Sequence, residues 1–339
     1  MASSLRALYA VLALVLLGIL ASRSAVASIA VTVVLPYLAW GTLLVGVCYR
    51  VWRWARVPVP FRIPTTCGQQ RSLPWLPRAP LDNPDNALWA TLRVGFETLL
   101  FRSLLRDNRP RIEAGRLAYS PTRALWLGAL AMHWALLIVV LRHLRFALEP
   151  TPNWVVSLGA LDGMLQIGAP PLLLSDVALV TALLYLLMRR WRVPALRYLS
   201  IFSDYFALLL LLGIALSGMA MRYVAHVDVV AVKQMMLGIV TFHPQVLSAP
   251  PAPLLVHVLL VCALAVYLPF SKLMHLGAAV LSPTRNLANN SRRRRHVNPW
   301  NAPVATHEYA EWEAEFADKL KLAGLPLEHN QDARHPTAD

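Results

Sequence analysis

Six apolar runs separated by polar, basic connections dominate the chain: residues 5–21, 29–51, 123–144, 172–188, 203–221 and 254–281. Each is long enough, or nearly so, for the roughly 20 residues that a bilayer-crossing helix needs. The pattern therefore predicts about six transmembrane helices. The first run leaves two readings open, because Arg6, a short apolar stretch and Ala21-Ser22-Arg23-Ser24-Ala25 also fit a cleaved signal peptide, which would leave five spans. Outside the runs, residues 52–85 are rich in Pro, Arg and Gln without a sustained period and predict a surface loop. In residues 86–106, Leu88, Leu92, Phe96, Leu99 and Leu100 recur at helical spacing opposite Arg93, Glu97 and Arg102. That is the pattern of a helix lying in the membrane interface; a helical hairpin packed on the protein fits it equally. In the tail, Thr306 stands where an N-cap would. Tyr309, Trp312, Phe316 and Leu320 form one stripe, five acidic residues lie between Glu308 and Asp318, and Gly324 and Pro326 supply a stop. This stripe either docks a cytoplasmic electron-transfer partner or folds back on the protein's own loop. No internal repeat is visible.

The chain thus divides into two N-terminal transmembrane helices (1–52), a loop with an interfacial amphipathic helix (53–122), a four-helix core (123–281) and a basic segment with an amphipathic tail helix (282–339). Composition sharpens this picture. Of 339 residues, 57% are hydrophobic and 15% charged, against about 45–50% and about 25% in soluble domains, which excludes a soluble enzyme and a disordered chain. The net charge of +14 would point to nucleic acid in a soluble protein. Here 27 of the 32 basic residues fall on one set of alternate loops and five, Arg23, Arg142, Arg145, Arg222 and Lys233, on the other. The charge is topogenic: it predicts a multi-pass membrane protein with both termini in the cytoplasm if the first run is retained, and no nucleic-acid partner. Cys48, Cys67 and Cys262 form no CxxC pair, so neither a disulfide framework nor a zinc or iron–sulfur site is encoded.

The candidate chemistry lies in the histidines. Of ten, His133 and His143 fall on the third span and His257 and His275 on the sixth, and no other span holds one. Ionisable side chains inside a membrane are costly and mark function, and imidazole is a common axial ligand of haem iron. His257 and His275 are 18 residues apart, five full turns and about 27 Å along one face; His133 and His143 are ten apart, about 15 Å. With the two spans antiparallel, His133 pairs in depth with His275 and His143 with His257, which predicts two stacked bis-histidine haems b in an all-α membrane bundle. The separations differ by about 12 Å, a mismatch for tilt and a kink at Pro269 to absorb. Hydrogen bonding between helices is the alternative role for such histidines. Arg142, Arg145 and Arg222 are candidate partners of haem propionates, or simply topogenic charge at helix ends. No acid–base or nucleophile constellation is present.

The unequal spacing of His133, His143, His257 and His275 resembles the gamma subunit of respiratory nitrate reductase, a dihaem cytochrome b working between quinone and a cytoplasmic iron–sulfur partner. Residues 63–70 (IPTTCGQQ), 232–244 (VKQMMLGIVTFHP) and 281–300 (LSPTRNLANNSRRRRHVNPW) are similar to the DsrM family, the membrane cytochromes b of a sulfite-reduction-associated complex. The resemblance implies two haems b, menaquinone or ubiquinone as substrate, and electron transfer between the quinone pool and redox partners in dissimilatory sulfur metabolism. The implied partners are the cytoplasmic iron–sulfur subunit DsrK, a periplasmic multihaem cytochrome, a periplasmic iron–sulfur protein and a second membrane subunit. It also points to Lys233 and Gln234 as a quinone site, although a basic residue at an interface commonly just snorkels to water. Alternatives are a subunit of a different respiratory reductase, such as nitrate or heterodisulfide reductase, and a haem-free membrane anchor or transporter.

Overall fold

The computed structural model describes residues 2–57, 77–113, 115–282, 286–288 and 306–329. Residues 63–70, Cys67 and the basic run 292–295 lie outside the described residues. The chain begins with α1 (Ala2–Ala21). After a turn, Ser24 caps α2 (Ala25–Ile29), its hydroxyl accepting from the Ala27 amide. A five-residue π segment (Ala30–Val34) then runs without interruption into α3 (Leu35–Ala55). Buried Thr32 lies inside that segment and donates to the Ser28 carbonyl at 2.7 Å.

Asn86 caps α4 (Ala87–Leu99) by accepting from the Trp89 amide. Phe101, at φ 51, turns the chain into the short α5 (Arg102–Leu105). The interfacial pattern is therefore one helix and a sharp corner, with Leu88, Leu92, Phe96, Leu99 and Leu100 all exposed. An antiparallel hairpin, β1 (Asn108–Glu113) and β2 (Arg116–Pro121), then feeds α6 (Arg123–Ala147). A short α7 (Asn153–Asp162) follows, and neither it nor the hairpin is expected from periodicity. The rest of the bundle is α8 (Leu174–Arg192), α9 (Pro194–Leu199), α10 (Phe202–Tyr223), α11 (Val229–Val240) and α12 (Ala252–Tyr267).

Five helical stretches among the described residues are long and apolar enough to cross a membrane: Ala2–Ala21, Ala25–Ala55, Arg123–Ala147, Phe202–Tyr223 and Ala252–Phe270. The fourth expected span forms as α8, but Asp176 and three arginines make it more polar than the others. It is nevertheless a core helix. Leu179, Ala182 and Leu183 pack with Met132 and Ala135 of α6 and Leu211 of α10, while Leu187 joins Ala7 and Val11 of α1, Tyr205, Leu209 and Leu210 of α10, and Val256 and Leu260 of α12. The opposite faces carry exposed Leu16, Leu44, Leu137, Leu184 and Leu216. So much apolar surface is a liability in water and the expected face toward lipid.

The sixth run is not one helix. Regular hydrogen bonding stops at Tyr267, and two 3-10 turns (Leu268–Phe270 and Lys272–Met274) flank Ser271, which is extended at φ −112 and ψ 176. A short α13 (His275–Leu281) follows. The uninterrupted five-turn separation of His257 and His275 is thereby corrected: Pro269 lacks an amide hydrogen and crowds the preceding turn, so the chain breaks where a kink was expected. The tail helix spans Tyr309–Leu322, and its N-cap position is Glu308, not Thr306. Tyr309, Trp312 and Phe316 stack along one face. Glu313, on another face, is buried by its own return segment, accepting from the Glu328 and His329 amides and the His329 ring.

Candidate functional site

The two depth-matched histidine pairs are brought together, one toward each end of the bundle. The ring centroids of His143 and His257 are 6.3 Å apart with planes 15° from parallel. Those of His133 and His275 are 6.0 Å apart at 80°. A transition metal about 2.0 Å from one nitrogen of each of two imidazoles sets their centroids about 6.3 Å apart. Both separations fit a single metal ion shared by two rings. Among the described residues no group of three or more His, Cys, Asp or Glu converges on a metal, so the arrangements are two-ligand ones, as axial ligation of a haem requires.

Hydrogen bonds fix which nitrogen is available. The Nδ1 of His133 lies 2.8 Å from the Ala129 carbonyl, that of His143 2.7 Å from the Val139 carbonyl, and that of His275 2.9 Å from the Lys272 carbonyl. A carbonyl only accepts, so each Nδ1 carries the proton. The fourth ring differs: His257 Nδ1 is 3.0 Å from Ser217 Oγ, whose own hydroxyl donates to the Ile214 carbonyl. The serine oxygen is left to accept. All four rings therefore present an unprotonated Nε2, the form that binds metal. Gly218 makes room for one of them, since a Cβ there would sit 3.3 Å from His257 Cε1.

The pair His143–His257 lies at the end of the bundle where α6 finishes and α12 begins, here called the far side; the opposite end, where α13 leads on toward the tail sequence, is the tail side. Arg142 is buried beside it, and its guanidinium is committed: Nε lies 2.9 Å from Asp162, and Nη2 lies 2.8 Å from Asp176 and 3.0 Å from Ser175 Oγ. Asp162 also accepts from the Ser175 amide and hydroxyl, and Tyr223 donates to Asp176. This network joins α6, α7, α8 and α10. Two carboxylates thus already engage Arg142, which gives it a structural role between helices. Arg145 and Arg222 differ in having no carboxylate at ion-pair distance among the described residues; the Nε of each, like that of Arg142, is buried without a hydrogen-bond partner. Arg145 rests on the Phe146 ring, while Arg222 rests on Tyr223 and donates to the Pro171 carbonyl. Asp162 and Asp176 are absent from the sequence reading; an acid inside the apolar run 172–188 was the available signal. Lys233 is not a free donor either, being ion-paired with Glu149 and bonded to Thr151. Gln234 is exposed on the same helix.

The tail-side pair, His133–His275, is framed by the loop region. The ring of Phe101 meets His133 edge-on at 4.9 Å. The last carbonyls of α4, at Leu99 and Leu100, accept from the indoles of Trp134 and Trp126 on α6, replacing the partners that a helix end lacks. Glu97 accepts from the amide and hydroxyl of Ser103, and Asp82 is gripped by Arg102 and Arg106. The hydrogen bond from Arg102 is the main cause holding the Asp82 carboxyl down to about 2; partial burial opposes it and Arg106 assists. Phe101 carries no sequence signal, because its left-handed backbone follows from the corner between α4 and α5.

Residues 113–291 match the family described as nitrate reductase gamma subunit. Two relatives carry the name Hdr-like menaquinol oxidoreductase cytochrome b-like subunit. The one from Archaeoglobus profundus is 42% identical over 274 residues, covering 79% of this chain and 81% of the relative. The one from Archaeoglobus fulgidus is 41% identical over 276 residues, covering 79% and 82%.

Proposed function

The chain belongs to the nitrate reductase gamma subunit family, and we propose from that premise that it is the membrane cytochrome b subunit of a menaquinol-reacting oxidoreductase, moving electrons across the bilayer. One observation carries the reading: four histidines form two facing pairs, each ring tied at Nδ1 and offering Nε2. His133 with His275 would hold one haem b and His143 with His257 a second. When bound, the haem iron supplies one-electron redox chemistry.

The chain's own residues bind, orient and insulate. Three backbone carbonyls and the Ser217 hydroxyl set each ring's tautomer and raise its basicity as a ligand. Arg145 and Arg222, with buried and unpaired Nε atoms, suit an anionic group such as a propionate at the far-side pair. The apolar packing of α6, α8, α10 and α12 holds in place the helices that carry His133, His143 and His257. The relatives' name supports menaquinol over ubiquinone as the substrate. Its head group is assigned to the α11 region, with Gln234 as the exposed donor and Lys233 held by Glu149.

The charge distribution supports a cytoplasmic tail side and a periplasmic far side in an inner membrane, with both termini cytoplasmic. The reading includes the four regions 1–52, 53–122, 123–281 and 282–339 and a place in a multi-subunit complex with a cytoplasmic iron–sulfur partner. In its finer form the subunit is DsrM-like, partnered by DsrK, periplasmic redox proteins and a second membrane subunit in dissimilatory sulfur metabolism. The similarity of residues 63–70, 232–244 and 281–300 supports that form. The test is a visible spectrum of the purified protein, oxidised and then reduced with dithionite, with haem quantified per chain. Two haems b are expected. Absence of a haem b spectrum after expression with ample haem would leave a haem-free anchor or transporter.

A further inference from the structure

Four buried arginine Nε atoms among the described residues lack a hydrogen-bond partner: those of Arg142, Arg145 and Arg222 beside the far-side pair, the first of them ion-paired with Asp162, and that of Arg50, on a different helix and near the other end of the bundle. Its position can be fixed from α3 alone. Gly46, Arg50 and Trp54 are spaced by four and form one stripe of that helix. At one end of the stripe a Cβ on Gly46 would fall 2.7 Å from the Pro269 ring, so α3 is pressed against the break that ends α12. At the other end the Trp54 indole comes within 3.6 Å of where a Gly277 Cβ would be. Arg50 stands between these two contacts, facing residues 270–276, the segment that carries His275. Its guanidinium leans toward Trp54, 5.9 Å from the ring centre, a distance at which a ring face contributes little.

A cation in this position is expensive unless it meets an anion or a row of acceptors. Among the described residues no carboxylate is paired with it. We infer that Arg50 is the anion-binding residue of the tail-side site, pairing with an acidic group on the cofactor held by His133 and His275, as Arg145 and Arg222 would on the far side. This inference rests on the haem reading above. The chemistry required is a carboxylate, which a planar guanidinium fork grips in two places and an ammonium in one. The other role for Arg50, donating to carbonyls freed by the helix break, involves no cofactor and is separated by the test below. A positive charge beside the haem favours its reduced form. Removing that charge should therefore weaken reduction of the tail-side haem alone.

The experiment is a potentiometric titration of the haem absorbance in membranes holding the full chain, for wild type, R50K and R50Q. The tail-side haem is assigned as the one missing from His275→Ala. R50Q is expected to lower the reduction equilibrium constant of that haem about tenfold, or about 59 mV for one electron, and to leave the other haem unmoved. The shift should be smaller at pH 5 than at pH 8, because a carboxylate that has lost its cation protonates as the pH falls. R50K should restore most of it. Unchanged potentials in R50Q, or equal shifts in both haems, would overturn the inference while leaving the haem reading intact. Absence of haem from wild type would remove both. If R50Q does not accumulate, R50M is read by the same criteria: a shift of about tenfold confined to the tail-side haem supports the pairing, and unchanged potentials, or equal shifts in both haems, refute it.

Discussion

The far-side and tail-side histidine pairs bring two imidazoles to nearly the same separation by different construction. His143 and His257 sit within regular helices, their planes nearly parallel, next to a buried frame in which Arg142, Asp162, Ser175, Asp176 and Tyr223 tie four helices together. His133 faces a ring delivered by a helix break, nearly perpendicular to it, with Phe101 and the corner of a surface loop alongside. One pair is held by polar bonds inside the bundle, the other by irregular backbone at its edge. A designer of rigid sites would choose the first. The second exchanges rigidity for contact with the loop region.

The largest effect should come from the ligands themselves. His143→Ala is expected to remove the far-side haem and His275→Ala the tail-side haem, each leaving one haem per chain by pyridine haemochrome assay. Loss of both from either variant would mean that the pairs are not independent. The frame comes next. Arg142→Leu leaves Asp162 and Asp176 buried without their cation, a loss of about 3–5 kcal/mol for a broken buried pair. In detergent, the far-side haem band should bleach at a lower temperature than the tail-side band. Simultaneous bleaching would show that the bundle melts as one unit.

The expected spans read directly from the apolar runs because lipid-facing helices must satisfy their backbone internally and cannot hide their composition. The partnering of rings was also legible, since two antiparallel helices convert spacing into depth. Other features were not. Asp162 lies in a connecting segment and meets Arg142 only through folding. The hairpin from Asn108 to Pro121 has no clear alternation, Phe101 is ordinary until the chain turns there, and Pro269 marks a kink without showing that the chain opens into two 3-10 turns around an extended Ser271. These are tertiary decisions that local periodicity does not encode.

Smaller effects sharpen the contrast further. Ser217→Ala removes the one side-chain acceptor among the four Nδ1 bonds. By the usual weight of such outer partners, haem affinity should fall about 10-fold or more at the far-side pair, with the tail-side pair, held by a backbone carbonyl, unaffected; haem transfer to apomyoglobin measures it. The mildest prediction concerns the loop. Because the Asp82 carboxyl is depressed to about 2 from an ordinary 3.8, its contribution is full above the ordinary value and is lost as the pH falls toward 2. The protection of amides in residues 77–107 against hydrogen exchange, relative to the intrinsic rate at each pH, should fall between pH 5 and pH 3. Asp82→Asn, already lacking the charge, should show no such pH step.

The π segment at Ala30–Val34 has a bearing on how this chain tolerates changes in length. Closing hydrogen bonds one residue further along than an α turn takes up a single surplus residue, worth about 100° of helical phase. Removing one residue from that segment should let it relax into plain α-helix while Gly46, Arg50 and Trp54 keep their compass bearing. The same deletion ten residues later would swing the whole stripe off the helix break. The bulge works like the slack loop in a taut cable, the one place on a 31-residue rod where the register can be adjusted without moving what hangs from its end.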